Sequence, residues 1–221
     1  MRDYGVEAAR LAVVHSATDP ERFDVPPLSR SDLGVPEGAP LLGNVAALVG
    51  HKDHATLLAA MPSVLRELPA VHLVIAGEGE LRPEIEGQMD RLGLRQAVHL
   101  LGYRDDVPRL LRTIDAFVLS SKEEGLGTSV LDAMVCERPC AATAAGGIPE
   151  MVLHEKTGLL SPIRDPEALA ANIVRLFREP DLARELARHA KSVVHERFTV
   201  DRMVEGNLRV YEDLLQRFPT G

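Results

Sequence analysis

Tryptophan is absent from these 221 residues, and aromatic side chains in total make up only 4% of them. So thin an aromatic complement argues against a stacking platform for sugar rings. No block of lysine or arginine interrupts a chain with 33 acids, 25 bases and a net charge of −8, so nucleic acid is not an expected partner. No apolar run approaches the ~20 residues needed to cross a bilayer, and the N-terminus lacks a signal-peptide pattern. The expectation is a soluble, cytoplasmic protein with no transmembrane segment, peripheral membrane contact being left open. Cysteine is nearly absent too. Cys136 and Cys140 stand with three residues between them and no histidine nearby, a poor zinc signature, and read as buried reduced thiols. His51 and His54 lack a third ligand, and no D-x-D stands at a strand end, so no metal is expected.

What is present is an alternation. With 45% hydrophobic residues, the composition is that of an ordinary globular core, and the length suggests one domain. Apolar runs at residues 41–49, 71–76, 98–101, 116–119, 139–143 and 158–160 read as strands. Between them, residues 56–68, 81–92 and 107–113 read as helices, the first interrupted or kinked at Pro62. Strand and helix in turn, mostly without hairpin signals, predict an α/β fold with a Rossmann-like, doubly wound parallel sheet. The tail is helical. Asp165-Pro166 is a cap followed by a first-turn proline, with Leu169, Ile173, Leu176 and Phe177 at helical spacing. A second helix opens at Asp181, and a third at Thr199 with Val204, Leu208, Tyr211, Leu215 and Phe218 on one stripe.

Ligands of such sheets lie beyond the carboxyl ends of the strands. That edge gathers Gly50-His51-Lys52-Asp53-His54, Gly77-Glu78-Gly79, Gly102-Tyr103-Arg104, the run from Ser121 to Met134, and Gly146-Gly147-Ile148-Pro149-Glu150. The run from Ser121 is the most specific. A buried strand enters a turn at Gly125 and Gly127, and Thr128 or Ser129 then caps a helix. Unpaired amides of Leu126, Gly127 and Thr128, with the helix dipole, favour an anion. Glu124 at its mouth is compatible with a phosphate only if the same ligand brings hydroxyls for the carboxylate to accept from. Asp132 lies eight residues on. Taken alone, either acid reads as a solvated carboxylate, and Tyr103 equally as a surface tyrosine.

This run resembles the E-x7-E segment of the group 1 family of retaining, nucleotide-sugar-dependent glycosyltransferases with the GT-B fold, here as E-x7-D. The resemblance covers most of the chain, and with Lys52 and Gly-Gly-Ile-Pro-Glu it is more specific than any single motif. It implies that Glu124 holds hydroxyls of the donor sugar and Asp132 the ribose. Lys52 matches the lysine of an R-L-x-x-x-K-G segment, neutralising the donor diphosphate as the glycosidic bond breaks. Lys52 and Glu124 are thus the candidate catalytic residues. Gly102, Tyr103, Arg104, Gly125, Leu126, Gly127, Thr128, Asp132, Gly146 and Gly147 are the candidate donor-binding residues. The family's arginine is replaced by Ala47 and the glycine after the lysine by Asp53, so Arg104 or a protonated His51 is expected to supply the missing charge.

The resemblance also implies a metal-independent reaction without a cofactor and a partner domain on the N-terminal side that binds the acceptor. Residues 1–38 then form an interdomain linker, with a short strand in Leu11-Ala12-Val13-Val14. Residues 39–198 form the Rossmann-like donor-binding domain, one half of a GT-B fold. Residues 199–221 form a helix crossing back to the N-terminal domain. Two other readings stay open, a nucleotide-sugar epimerase of the same fold and a non-catalytic nucleotide-binding or interaction module.

Overall fold

The computed structural model describes residue 7 and residues 10–217. Six short apolar runs become strands: β1 (Leu41–Val45), β2 (His72–Ala76), β3 (Val98–Gly102), β4 (Ala116–Leu119), β5 (Cys140–Thr143) and β6 (Leu159–Ser161). They pair in parallel in the order β3-β2-β1-β4-β5-β6. Helices α1 (His54–Glu67), α2 (Arg82–Arg91), α3 (Val107–Thr113) and α4 (Thr128–Val135) connect the strands, and α5 (Pro166–Arg178), α6 (Pro180–Arg197) and α7 (Val200–Arg217) follow. A sheet covered on both faces needs apolar residues at every strand position, not at alternate ones. β4 shows this, with all four residues buried.

The two-residue period then divides the core. Leu41, Val74, Phe117, Leu119 and Ala142 point to one face, under Leu110 of α3, Val130 and Met134 of α4 and Val194 of α6. Leu42, Leu73, Ile75, Ala116, Val118 and Ala141 point to the other, under Leu57 and Met61 of α1, Ile85 of α2 and Leu169 and Ile173 of α5.

Several local expectations shift. The first strand stops at Val45, four residues early. Ala46 N–H and Leu48 N–H still bond to Ala76 and Glu78 (3.1 and 2.9 Å), but Ala47 between them faces solvent. Pro62 does not interrupt α1, which runs unbroken through it. Leu11 and Val13 form no strand and are 58% and 77% exposed. Within residues 20–38, Phe23, Leu33 and Val35 are buried in the same core layer as Phe117, so this part of the expected linker packs as domain core. α5 is capped as its sequence requires, Asp165 accepting from Ala168 N–H, and its stripe is buried. α7 buries nothing: Val204, Leu208, Tyr211 and Leu215 are 47–63% exposed, and Phe218 lies outside the described residues. Among the described residues no helix is long and apolar enough to cross a membrane.

Candidate active site

Because all six strands are parallel, their exit loops share one edge. From β1 the chain proceeds outward through β2 to β3, then returns to place β4 on the other side of β1 and continues through β5 to β6. The helices that follow β1 and β4 lie on opposite faces of the sheet, so the reversal falls between them, the position where such sheets bind ligands. Lys52 ends a 3-10 turn (Gly50–Lys52) in the loop after β1, and Glu124 stands in the loop after β4. Seventy-two positions apart, they meet there: Lys52 Nζ donates to Glu124 Oε1, with side chains 18% and 7% exposed. Ser121 Oγ donates to the same carboxylate oxygen at 2.7 Å. Lys122 N–H bonds to His51 C=O at 2.9 Å, tying the two loops by their backbones.

The loop after β5 closes the arrangement from the far side. Gly147 N–H bonds to Gly125 C=O at 3.1 Å, and a Cβ on Gly146 would lie 1.8 Å from Glu124 O. Only glycine permits that approach, and Gly146 also has φ 52°. Gly127, at φ 81°, occupies the N-cap of α4 without a side-chain cap. Thr128 is thus the first residue of the helix, and neither it nor Ser129 is the expected cap. With Leu126 beside them, these residues turn a helix N-terminus toward the reversal, where its dipole favours an anion.

Asp132 departs from its expected surroundings. It lies on α4 one turn from Thr128, is half-buried, and its Oδ1 accepts from Thr18 Oγ1 at 2.6 Å. Burial raises its pKa, opposed by the Thr18 hydrogen bond and by Arg22. At the end of β3, Gly102 is left-handed (φ 70°), and in the loop that follows Tyr103 is 74% exposed. Arg104 is engaged locally: Nε and Nη2 donate to the two oxygens of Asp106 at 2.7 and 2.5 Å. The pairing raises the Arg104 pKa and lowers that of Asp106. Asp106 consequently occupies the N-cap of α3 without capping it.

Sequence reasoning did not single out Ser120, Ser121, Thr18 or Thr143 as site residues. Ser120-Ser121 directly continues a strand, so the two-residue period predicts opposite directions for their side chains. That was the available signal. His54, expected in the loop after the first strand, is instead the first residue of α1, 3% exposed, with neither ring nitrogen hydrogen-bonded. Burial drives its pKa down to about 4, so the ring is neutral. Cys136 and Cys140 are buried free thiols, and burial pushes the Cys136 thiol up to about 11. Among the described residues, no three His, Cys, Asp or Glu side chains group as a metal site requires.

A doubly wound parallel sheet with an ion pair at its reversal and a helix N-terminus beside it defines a Rossmann-like class of α/β domain. The chain belongs to the group 1 family of glycosyl transferases, whose model matches residues 27–193. Curated relatives include N-acetyl-alpha-D-glucosaminyl L-malate synthase of Bacillus anthracis, 28% identical over 85% of this chain and 49% of that protein. Another is the putative glycosyltransferase EpsD of Bacillus subtilis, 32% identical over 73% of this chain and 42% of that protein. The chain spans about half the length of these relatives. Among solved structures, Anabaena Alr3699/HepE in complex with UDP and glucose matches with a TM-score of 0.83 and 26% identity, over 95% of this chain and 58% of that one. The C-terminal domain of a group 1 family glycosyl transferase from Francisella tularensis, LpcC, shares the fold at 22% identity, with a TM-score of 0.72 over 83% of this chain and 99% of that domain. The architecture is that of the C-terminal half of a GT-B glycosyltransferase.

Proposed function

We propose that this domain binds the nucleoside-diphosphate-sugar donor of a retaining hexosyl transfer at the reversal between β1 and β4. The observation that carries this reading is the Lys52–Glu124 pair, brought together across the sheet reversal beside the N-terminus of α4. A donor offers each member a replacement partner: diphosphate oxygens for the ammonium and sugar hydroxyls for the carboxylate. As the bond from sugar to diphosphate breaks, the leaving group gains negative charge, which Lys52 and the amides of Leu126, Gly127 and Thr128 stabilise. Gly146 and Gly147 set the shape of that loop. Gly102 and Tyr103 are assigned to the base of the nucleotide, with Arg104, engaged by Asp106, contributing little of the affinity, and Asp132 is assigned to the ribose through the carboxylate oxygen that Thr18 leaves free. The acceptor is held by an N-terminal domain, without metal or cofactor. The Anabaena protein, whose structure holds UDP and glucose, supports the assignment of ligand class.

Calorimetric titration of this chain with UDP, GDP, ADP and their sugar conjugates tests the proposal. Saturable binding of one base is expected, and Lys52→Ala should weaken the diphosphate about tenfold to a hundredfold, the worth of a charge-assisted hydrogen bond. Equal affinity in wild type and Lys52→Ala would overturn the assignment. A second reading, a binding module without turnover, is favoured by the exposed Ala47 where the family segment carries arginine. Transfer to an acceptor by a form with both halves, lost in Glu124→Ala, excludes it, whereas release of an epimerised sugar without acceptor identifies an epimerase.

A further inference from the structure

Lys52 is held by more than its ion pair. A lysine ammonium sits on a flexible stem, so its placement depends on the backbone that carries it. That backbone is unusual: Asp53, the next residue, is left-handed at φ 49°, a conformation that residues other than glycine seldom adopt. Such a conformation persists only where the surroundings over-determine it.

Thr56 holds Asp53 from the α1 side, its N–H on Asp53 C=O at 3.1 Å and its Oγ1 on Asp53 Oδ2 at 2.7 Å, and the end of β4 holds the turn from the other. Ser120 is completely buried. Its Oγ lies 3.1 Å from Lys52 C=O and 3.0 Å from Asp53 C=O, one hydroxyl proton shared between two successive carbonyls. With Lys122 N–H on His51 C=O at 2.9 Å, the carbonyls of residues 51, 52 and 53 are all fastened to the three-residue stretch Ser120-Ser121-Lys122. Ser121 points the other way and holds Glu124, while its own carbonyl accepts from Thr143 Oγ1 at 2.5 Å. Two consecutive serines thus support opposite members of one ion pair.

We propose that Ser120 is a positioning residue for Lys52, fixing the backbone turn from which the ammonium reaches the donor diphosphate. The proposal rests on the donor-binding reading above and deepens it. Ser120 does not touch the ligand. Its contribution appears only in what Lys52 does, which separates this role from general support of the fold.

The experiment compares nucleoside monophosphate with nucleoside diphosphate of the preferred base, in wild type, Ser120→Ala, Lys52→Ala and the double variant. In wild type the second phosphate should raise affinity. Ser120→Ala should remove about fivefold of that gain while leaving monophosphate affinity close to wild type. In the Lys52→Ala background it should remove almost nothing more, because the two changes act through one group. Ser120→Thr, which keeps the hydroxyl, should restore the gain, and Ser120→Cys, of similar volume with a weak donor, should behave as alanine. Equal losses for mono- and diphosphate, or additive losses in the double variant, would overturn the proposal. A wild-type chain that gains nothing from the second phosphate would overturn the Lys52 assignment itself. A readout independent of nucleotide is the resonance of 13C-methylated Lys52. It should move toward those of exposed lysines in Ser120→Ala, and a resonance that stays in place sinks the positioning role whatever the titrations show.

Discussion

Two ion pairs stand on the carboxyl edge of this sheet, and they differ in what their charges are available to do. Arg104 and Asp106 are two residues apart in the loop after β3, and their paired hydrogen bonds close the loop on itself. Lys52 and Glu124 come from loops separated by 72 positions and meet only because β1 and β4 are neighbours. The first pair forms wherever its own loop folds. The second is assembled by the whole sheet and set against glycine turns and buried hydroxyls, and it is the pair on which the proposed donor site rests.

The comparison breaks most decisively at Gly146. Gly146→Ala places a methyl group against Glu124 O at a left-handed position, so the Glu124 loop must move. A loss of about 2–4 kcal/mol is expected, read as a fall of roughly 5–10 °C in melting temperature, with donor affinity abolished and the Arg104–Asp106 pair unaffected. Unchanged nucleotide affinity in this variant would remove the Gly146 contact from the site.

Next in size is a pH effect beneath the Lys52 loop. His54 is buried neutral, with its pKa lowered from 6.5 to about 4. Between those values the unfolded chain binds a proton that the folded chain refuses, so stability falls as pH drops through that window, by about 3 kcal/mol in all. His72 and His99, whose pKa values burial also lowers, act in the same direction. Chemical denaturation of His54→Leu should show a correspondingly flatter profile from pH 6.5 to 4, and an unchanged profile would mean that His54 titrates normally. The smallest effect is expected at Arg104. With Nε and Nη2 occupied by Asp106, Arg104→Ala should change nucleotide-diphosphate affinity by less than about threefold in calorimetry. A tenfold loss would place Arg104 beside Lys52 as a ligand of the diphosphate.

Much of the frame was legible beforehand because its signals are local. Residues 116–119 read as a strand and are one, since a run buried on both faces shows as unbroken apolar sequence. The cap at Asp165 and the stripe through Leu169 and Ile173 likewise needed no partner to be read. Errors fell where a neighbour decides. The apolar run continues to Val49, although the regular strand stops at Val45 and Ala47 turns outward. Asp106 precedes α3 but its carboxylate is claimed by Arg104, while Asp132, which taken alone reads as solvated, is half-buried against Thr18. His54 lies in a polar tetrad, His51-Lys52-Asp53-His54, that gives no hint of burial.

The stripes of α5 and α7 mark the limit of such reading. Both are amphipathic in sequence, yet α5 is buried against the sheet and α7 exposes its apolar face. Periodicity reports which face of a helix is apolar, not what covers it. By itself the sequence determined the alternation of strands and helices, their parallel sheet and the identity of the edge loops, because these follow from chain-local patterns of burial and turning. Only the tertiary structure decided that β4 lies beside β1, that Lys52 therefore reaches Glu124, and that Ser120 grips the backbone between them. Such contacts join residues distant along the chain, and no local periodicity encodes which of them will meet.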